Sequence, residues 1–115
     1  LQPTAVKVRS EESTLMREET FGPVCSFIGY HSEDEALARI NASPYGLAAS
    51  VWSDNIRQAL RYSEAIEAGI VWVNMHTFLD PAVPFGGMKG SGIGREFGSA
   101  FIDDYTELKS VMVRY

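Results

Sequence analysis

Glycine is concentrated in one short part of this chain. Six of the ten glycines fall within the fifteen residues from Pro84 to Gly98. An ordered glycine loses more backbone entropy than any other residue, so such a cluster is favoured where the backbone takes positive φ or passes close to another group. The cluster also follows the apolar run Ile70–Val73 along the chain. We therefore expect residues 84–98 to fold tightly and to form one wall of an active site.

Composition limits the classes of protein that the chain can belong to. Its 115 residues, 45% of them hydrophobic, suffice for one globular domain and include no apolar run of membrane-spanning length. The net charge is −5 and the ten basic residues are scattered, which argues against nucleic acid as a partner. Cys25 is the only cysteine, so a reducing compartment, the cytoplasm, is expected. Because the first residue is Leu1 and no start signal follows, we expect a fragment of a longer protein.

The first half of the chain alternates between strand and helix patterns. Short β-rich runs predict strands over Ala5–Val8 and Val24–Tyr30, separated by a polar turn over residues 9–14. Ser32 and Glu35 have the spacing of a capping box, which predicts that a helix starts there. That helix is expected to end over residues 41–44, since the residue before a proline disfavours the helical region.

The second half continues the same alternation. Leu47–Trp52 predicts a strand, the oxygens of residues 53–55 predict a helix cap, and Gly69 predicts a left-handed end to that helix. The unbroken apolar run Ile70–Val73 is typical of a strand covered on both faces. Alternating strands and helices predict an α/β fold with a largely parallel sheet and flanking helices. A short helix near residues 99–107 and a β-rich end over 108–115 complete the pattern.

Five segments, taken in order, carry a resemblance to a known family. Together they resemble the C-terminal part of the NAD(P)-dependent aldehyde dehydrogenases, and the resemblance covers nearly the whole chain. It implies a fragment of that family's catalytic domain over residues 1–107 and an oligomerisation strand over 108–115. The segments are Glu18–Val24, Asn41–Ala49, Glu67–Asn74, Pro84–Gly92 and Lys109–Val111.

The resemblance implies oxidation of an aldehyde to a carboxylic acid with NAD or NADP as cofactor. In this family a cysteine thiolate attacks the carbonyl, hydride passes to the nicotinamide, and a glutamate-activated water hydrolyses the thioester. The nucleophile, the base and the oxyanion-hole asparagine belong to sequence that precedes the matched part. We therefore expect no catalytic residue in this chain and no activity from it alone. The implied partners are a small aldehyde, the rest of the polypeptide, and further copies in a homodimer or homotetramer.

The resemblance also assigns the cofactor contacts. Glu19 lies where the family has a carboxylate that accepts hydrogen bonds from the nicotinamide ribose, and Phe21 where an aromatic ring packs on the nicotinamide. Without the family, Glu19 would be a solvated charge and Phe21 an anchor beside a turn. Cofactor binding is the expectation for both.

A third assignment concerns the aldehyde pocket. Residues 74–80 match the variable stretch that lines the family's substrate entrance, and Phe85 matches its deeper wall. Met75, Thr77, Leu79 and Phe85 are the expected substrate-binding residues, with Thr77 or His76 able to supply a hydrogen bond. The alternative is that these side chains only pack the loop on the core. The pattern of residues 74–77, together with residues 84–89 and the ending 109–115, is similar to bacterial phenylacetaldehyde-type dehydrogenases, which favours an aromatic aldehyde.

Other candidates are better explained structurally. Cys25 lies in an apolar strand, where we expect a buried and unreactive thiol. His31 and His76 lack the spacing of a metal site, so no metal is expected. The glycines of residues 90–94 do not form a dinucleotide fingerprint. Arg95 and Glu96 are expected to anchor their loop through ion pairs.

Two further hypotheses remain open at this point. The chain could be a free-standing, non-catalytic interaction protein that kept the fold. It could also be a glycine-rich phosphate-binding module, which would have to bind nucleotides in isolation.

Overall fold

The structure, a computed structural model, describes residues 1–115. Its contacts divide the chain into two compact units, Leu1–Pro44 and Tyr45–Tyr115. None of its helices has the length and hydrophobicity needed to cross a membrane.

The first unit contains two strands and two helices. Strands β1 and β2 pair in parallel, with Thr4 opposite Val24 and Lys7 opposite Phe27. Helix α2 begins with the predicted cap, because Ser32 Oγ accepts a hydrogen bond from the backbone N–H of Glu35 at 3.2 Å. The elements are β1 (Thr4–Lys7), α1 (Thr14–Arg17), β2 (Val24–Phe27) and α2 (Glu33–Asn41).

The second unit is built around a strand, helix and strand that are consecutive in sequence. Strands β4 and β5 pair in parallel, and α3 connects them and packs on both. Ala59 of α3 is completely buried, and Ile66 and Trp72 are each 8% exposed. The elements are β3 (Tyr45–Gly46), β4 (Ala48–Val51), α3 (Ile56–Ala65), β5 (Ile70–Val73), β6 (Met88–Lys89) and α4 (Phe101–Tyr105).

The prediction of one largely parallel sheet is wrong about the number of sheets and correct about the parallel pairing of most strands. The chain forms three two-stranded sheets, of which β1–β2 and β4–β5 are parallel and β3–β6 is antiparallel. The parallel pairs arise because a helix-containing connection returns the chain in the same direction. The two-residue pair β3–β6 forms where the glycine-rich segment folds back on Gly46.

Gly69 does not end helix α3 as the sequence analysis predicted. The helix ends at Ala65, Ile66 is already extended, and Gly69 has no positive φ. A Cβ atom on Gly69 would lie 1.6 Å from the carbonyl oxygen of Gly86. Close approach of two backbone segments, and not a left-handed turn, therefore requires glycine at this position.

Two other local predictions need correction. Cys25 is exposed, because β2 alternates and turns Cys25 and Phe27 outward while Val24 and Ser26 are half-buried. A short helix, α1, also follows the predicted polar turn of residues 9–14, and the sequence analysis did not predict it.

The C-terminal segment lies outside any regular structure. Residues 106–115 form neither helix nor strand, and all of them are exposed. The predicted strand over 108–115 requires a pairing segment from outside this chain, so its formation stays a prediction.

Candidate functional site

The glycine-rich loop is held in one conformation by backbone and side-chain hydrogen bonds. Phe85 and Glu96 face each other as an antiparallel pair and exchange two N–H to carbonyl bonds of 2.7 Å. Arg95 donates through one guanidinium nitrogen to the carbonyls of Gly87 and Gly94, each at 2.8 Å. Arg95 therefore anchors the loop as predicted, but through hydrogen bonds to backbone carbonyls and not through the predicted ion pair.

The glycines of this loop occupy positions that other residues would not fit. A Cβ on Gly87 would lie 2.5 Å from the carbonyl carbon of Ser91. Gly98 has φ +63°, and a Cβ there would lie 2.8 Å from Pro84 Cγ. The expectation of close approach and positive φ in this segment is confirmed.

Two contacts connect the loop to earlier parts of the second unit. The backbone N–H of Gly46 donates to Ser91 Oγ at 2.9 Å. Lys89 Nζ forms an ion pair of 2.8 Å with a carboxylate oxygen of Glu67. Phe85, half-buried, therefore stands on a segment that is fixed at both ends.

The segment after β5 is attached to β4 by Asn74. Its backbone N–H donates to the carbonyl of Val51 at 2.8 Å, which extends the β4–β5 ladder by one residue. Its side-chain amide accepts from the N–H of Ser53 and donates to the carbonyl of Ser53, both at 2.9 Å. Asn74 has φ +54°, so the chain changes direction while it stays bound to the sheet.

His76 and Trp72 fix the next residues. His76 Nδ1 and Ser50 Oγ are joined by a hydrogen bond of 2.6 Å. The His76 ring meets the Trp72 indole edge-on, with 5.2 Å between ring centroids. The indole N–H of Trp72 then donates to the carbonyl of Phe78 at 2.7 Å. The loop of residues 74–79, which we call the β5 loop, is thus attached to β4 and β5 at three successive points.

Thr77 lies between these attachments in a strained conformation. Its φ is +58°, and its Oγ1 donates to the carbonyl of His76 at 2.8 Å. A left-handed conformation costs a residue with Cβ about 1–2 kcal/mol, and β-branched residues are rarely found there. The surrounding hydrogen bonds must offset this cost.

The predicted substrate-binding residues are displayed by these two loops. Thr77 is exposed, Met75 is 40% exposed, and Leu79 is 43% exposed. Two of the three are apolar and exposed although their backbone is anchored, which is typical of a ligand wall. Phe85 lies on the glycine-rich loop of the same unit.

The predicted cofactor residues lie in the first unit. Glu19 is exposed to solvent. The ring of Phe21 is 95% exposed. An exposed carboxylate two residues from an exposed ring provides acceptors for hydroxyl groups and a surface for a flat heterocycle. No three His, Cys, Asp or Glu side chains come together as a metal site in the structure.

Sequence reasoning missed Ser50, Asn74 and Trp72 as residues that shape the site. Asn74 had a usable signal, because a polar residue directly follows a buried strand. The contact of Ser50 with His76 had none, since the two residues are 26 positions apart and meet only through the parallel pairing of β4 and β5.

The sequence model of the aldehyde dehydrogenase family matches residues 1–111. The chain belongs to the aldehyde dehydrogenase family. The resemblance of the five sequence segments to this family is confirmed. The aldehyde dehydrogenase fold of the solved relatives also accounts for the mixed arrangement of helices and parallel strand pairs.

Individual members of the family match over almost the whole chain. It is 46% identical to the 2-hydroxymuconic semialdehyde dehydrogenase of Pseudomonas putida over 99% of the chain and 24% of that relative. It is 41% identical to the phenylacetaldehyde dehydrogenase of Pseudomonas fluorescens over 100% of the chain and 23% of that relative. The crystal structure of a Mycobacterium tuberculosis aldehyde dehydrogenase complexed with NAD⁺ superposes with a TM-score of 0.90 at 41% identity, over 99% of the chain and 23% of that structure.

The chain spans about a quarter of the length of these relatives. Relatives named for phenylacetaldehyde and for 2-hydroxymuconic semialdehyde match it at similar identity. Overall sequence identity to these relatives therefore does not distinguish between their substrates. Any substrate preference must come from the individual side chains of the loops.

Proposed function

We propose that this chain is the C-terminal part of an NAD(P)-dependent aldehyde dehydrogenase and supplies cofactor contacts and part of the aldehyde pocket. The observation that carries the proposal is the β5 loop, whose backbone is anchored at three points while Met75 and Leu79 stay exposed. Exposed apolar side chains that lie close together on an ordered backbone are typical of surfaces that contact a ligand or more protein. Membership in the aldehyde dehydrogenase family favours a ligand as the group that these side chains contact.

The residues of the first unit fit the nicotinamide half of the cofactor. The exposed Glu19 carboxylate has acceptor sites for two ribose hydroxyls, and the Phe21 ring offers an apolar face to the nicotinamide. Bound NAD(P) would supply the hydride acceptor. Glu19 and Phe21 would limit the orientations of the nicotinamide, since a hydrogen-bonded ribose and a covered ring leave little rotational freedom.

The residues of the second unit would surround the aldehyde. Met75, Leu79 and Phe85 form an apolar set suited to a hydrocarbon or aromatic group, and Thr77 adds a hydroxyl. The relative named for phenylacetaldehyde, 41% identical, supports an aromatic aldehyde. Fixing the wall before the aldehyde binds reduces the entropy lost on binding.

In this proposal the nucleophile and the general base come from the rest of a longer polypeptide. Large apolar side chains on the surface support the presence of further protein that covers them. Among them are Phe27, Trp52 and Ile56, which are 49%, 66% and 54% exposed. The chain alone should then produce no NADH from an aldehyde. The same exposed side chains would serve a non-catalytic interaction protein, and NADH formation by the full polypeptide separates the two functions.

The C-terminal segment would supply an association element and make the enzyme a homodimer or homotetramer. Val111 is 72% and Val113 is 73% exposed, which suits a strand whose partner is absent from this chain. Light scattering on the full polypeptide with residues 110–115 deleted tests this. A smaller oligomer is expected, and an unchanged oligomer would contradict the proposal.

The cofactor assignment is tested by the Glu19→Gln variant of the full polypeptide, with Glu18→Gln as matched control. A neutral amide accepts hydroxyl hydrogen bonds more weakly than a carboxylate. Loss of one charge-assisted bond costs roughly 1.5–3 kcal/mol, so kcat should fall by about one to two decades. A deuterated aldehyde should show a larger isotope effect with the variant. The assignment is wrong if Glu19→Gln keeps the parent rate, or if Glu18→Gln loses as much.

A further inference from the structure

The hydrogen bond between Ser50 and His76 is unusual among the contacts of the β5 loop. The other two attachments involve the backbone, through Ser53 at one end and the Phe78 carbonyl at the other. The bond of Ser50 Oγ to His76 Nδ1 joins two side chains across 26 residues, at 2.6 Å. It lies between the other two attachments, next to the strained Thr77.

The surroundings of His76 determine what its ring can do. One ring nitrogen is engaged by Ser50, and the ring edge lies against the indole of Trp72 at a centroid distance of 5.2 Å and an interplanar angle of 76°. Trp72 is itself 8% exposed and belongs to β5, so it provides a rigid support. His76 is therefore attached to the sheet on its strand side, while its sequence neighbours Met75 and Thr77 stay exposed.

We propose that Ser50 and His76 are positioning residues that set the affinity for the aldehyde by fixing the β5 loop. The inference rests on the proposed function and deepens it, because it names the contact that holds the substrate wall in place. Ser50 does not touch the aldehyde itself, and it acts on aldehyde binding through the position of the β5 loop. Within this loop, the side chains that we propose to touch the substrate are those of Met75, Thr77 and Leu79.

The consequence for kinetics follows from where the bond acts. Without it, the loop samples conformations in which Thr77 leaves the left-handed region, and aldehyde binding has to select the ordered one. The bond is equally present before and during the chemical step, so its loss should raise KM and leave kcat nearly unchanged. Since one hydrogen bond is involved, we expect KM to rise by about three- to tenfold.

The kinetic test uses four variants of the full polypeptide with phenylacetaldehyde and, as a small comparator, acetaldehyde. Ser50→Ala removes the bond, whereas Ser50→Thr keeps a hydroxyl and His76→Asn keeps a polar atom near the position of Nδ1. The matched control is Ser63→Ala, which removes a hydroxyl that bonds only within α3, to the carbonyl of Leu60 at 2.8 Å. Ser50→Ala should raise KM for phenylacetaldehyde more than for acetaldehyde, and the KM for NAD⁺ should not change.

A second measurement does not depend on activity. Hydrogen–deuterium exchange of the peptide containing residues 74–79 should be about three- to tenfold faster in Ser50→Ala, and should match the parent in Ser50→Thr and Ser63→Ala. Failure of the proposed function would show as a parent protein that oxidises no aldehyde, with the exchange result unaffected.

The inference is overturned by any of three results. The first is exchange of residues 74–79 in Ser50→Ala that equals the parent. The second is an active parent whose Ser50→Ala variant keeps its KM or loses kcat instead. The third is a KM that rises as much in Ser50→Thr and His76→Asn as in Ser50→Ala. Variants that can still form the hydrogen bond would then behave like the variant that has lost it.

Discussion

The β5 loop and the segment around Glu19 both carry predicted site residues, but they differ in how they are attached to the rest of the chain. The β5 loop is attached through Asn74, His76 and the Phe78 carbonyl, so its backbone geometry is set by β4 and β5. In the segment around Glu19, both Glu19 and the ring of Phe21 are exposed. The second unit therefore orders the predicted substrate wall by itself, whereas the predicted cofactor residues of the first unit stay exposed and need a ligand or further protein as a partner.

This difference predicts where substitutions should affect folding and where they should affect only function. Anchored segments depend on close backbone approach and on hydrogen bonds to other parts of the chain, so changes there should lower the free energy of unfolding. Exposed segments should tolerate substitution with little change in that free energy.

The largest effect is expected from Gly69→Ala. A Cβ at this position would lie 1.6 Å from the Gly86 carbonyl oxygen, so the start of β5 and the glycine-rich loop could not keep their distance. We expect a loss of about 3 kcal/mol or more in the free energy of unfolding, measured by chemical denaturation of the full polypeptide. Gly22→Ala is the matched control beside Phe21, because its Cβ would have no atom within 4 Å. Equal free energies of unfolding for Gly69→Ala and Gly22→Ala would contradict the expected difference between the anchored and the exposed segments.

An intermediate effect is expected from Arg95→Met. The substitution keeps the length of the apolar stem but removes the donors to the carbonyls of Gly87 and Gly94. Loss of hydrogen bonds from a charged donor should lower the free energy of unfolding by about 1.5–3 kcal/mol. Arg17→Met is the control in the first unit, where the ion pair with Glu12 is exposed and should contribute no more than about 1 kcal/mol. A larger loss from Arg17→Met would reverse the expected order.

The smallest effect concerns pH and helix α2 of the first unit. The backbone N–H of His31 lowers the pKa of Glu35 below its ordinary value of 4.5, with further lowering from the Arg39 charge and the N–H of Ser32. A carboxylate with a lowered folded pKa adds stability that is complete above the unfolded pKa and is lost as pH falls through the folded one. We therefore expect stability to decrease as pH falls below about 4.5.

The Glu35→Gln variant checks this assignment. Its free energy of unfolding should depend less on pH in the acid range than that of the parent. Glu64→Gln, an exposed substitution in α3 of the second unit, should keep the parent's dependence. Parent-like behaviour of Glu35→Gln below pH 4.5 would show that this carboxylate does not contribute.

The sequence by itself determined the local elements of this protein. The start of α2 at Ser32, the cap of α3 at Asn55 and the strand Ile70–Val73 all depend on residues within a few positions of one another. The glycine cluster likewise indicated a segment of close approach and positive φ, because glycine has no Cβ and adopts those conformations at the lowest cost. The family was also recognisable from five short segments, and with it the candidate positions Glu19 and Phe85.

Only the tertiary structure decided which distant residues meet. Gly69 looked like a helix end, and its glycine is instead required by the Gly86 carbonyl, 17 residues later. Cys25 looked buried in an apolar run, but which strand faces are covered depends on what packs against them. The bond of Ser50 to His76 exists because α3 returns the chain parallel to β4, in a register that no local pattern encodes. Local propensity acts over a few residues, whereas register and close approach are set by packing between segments far apart in sequence.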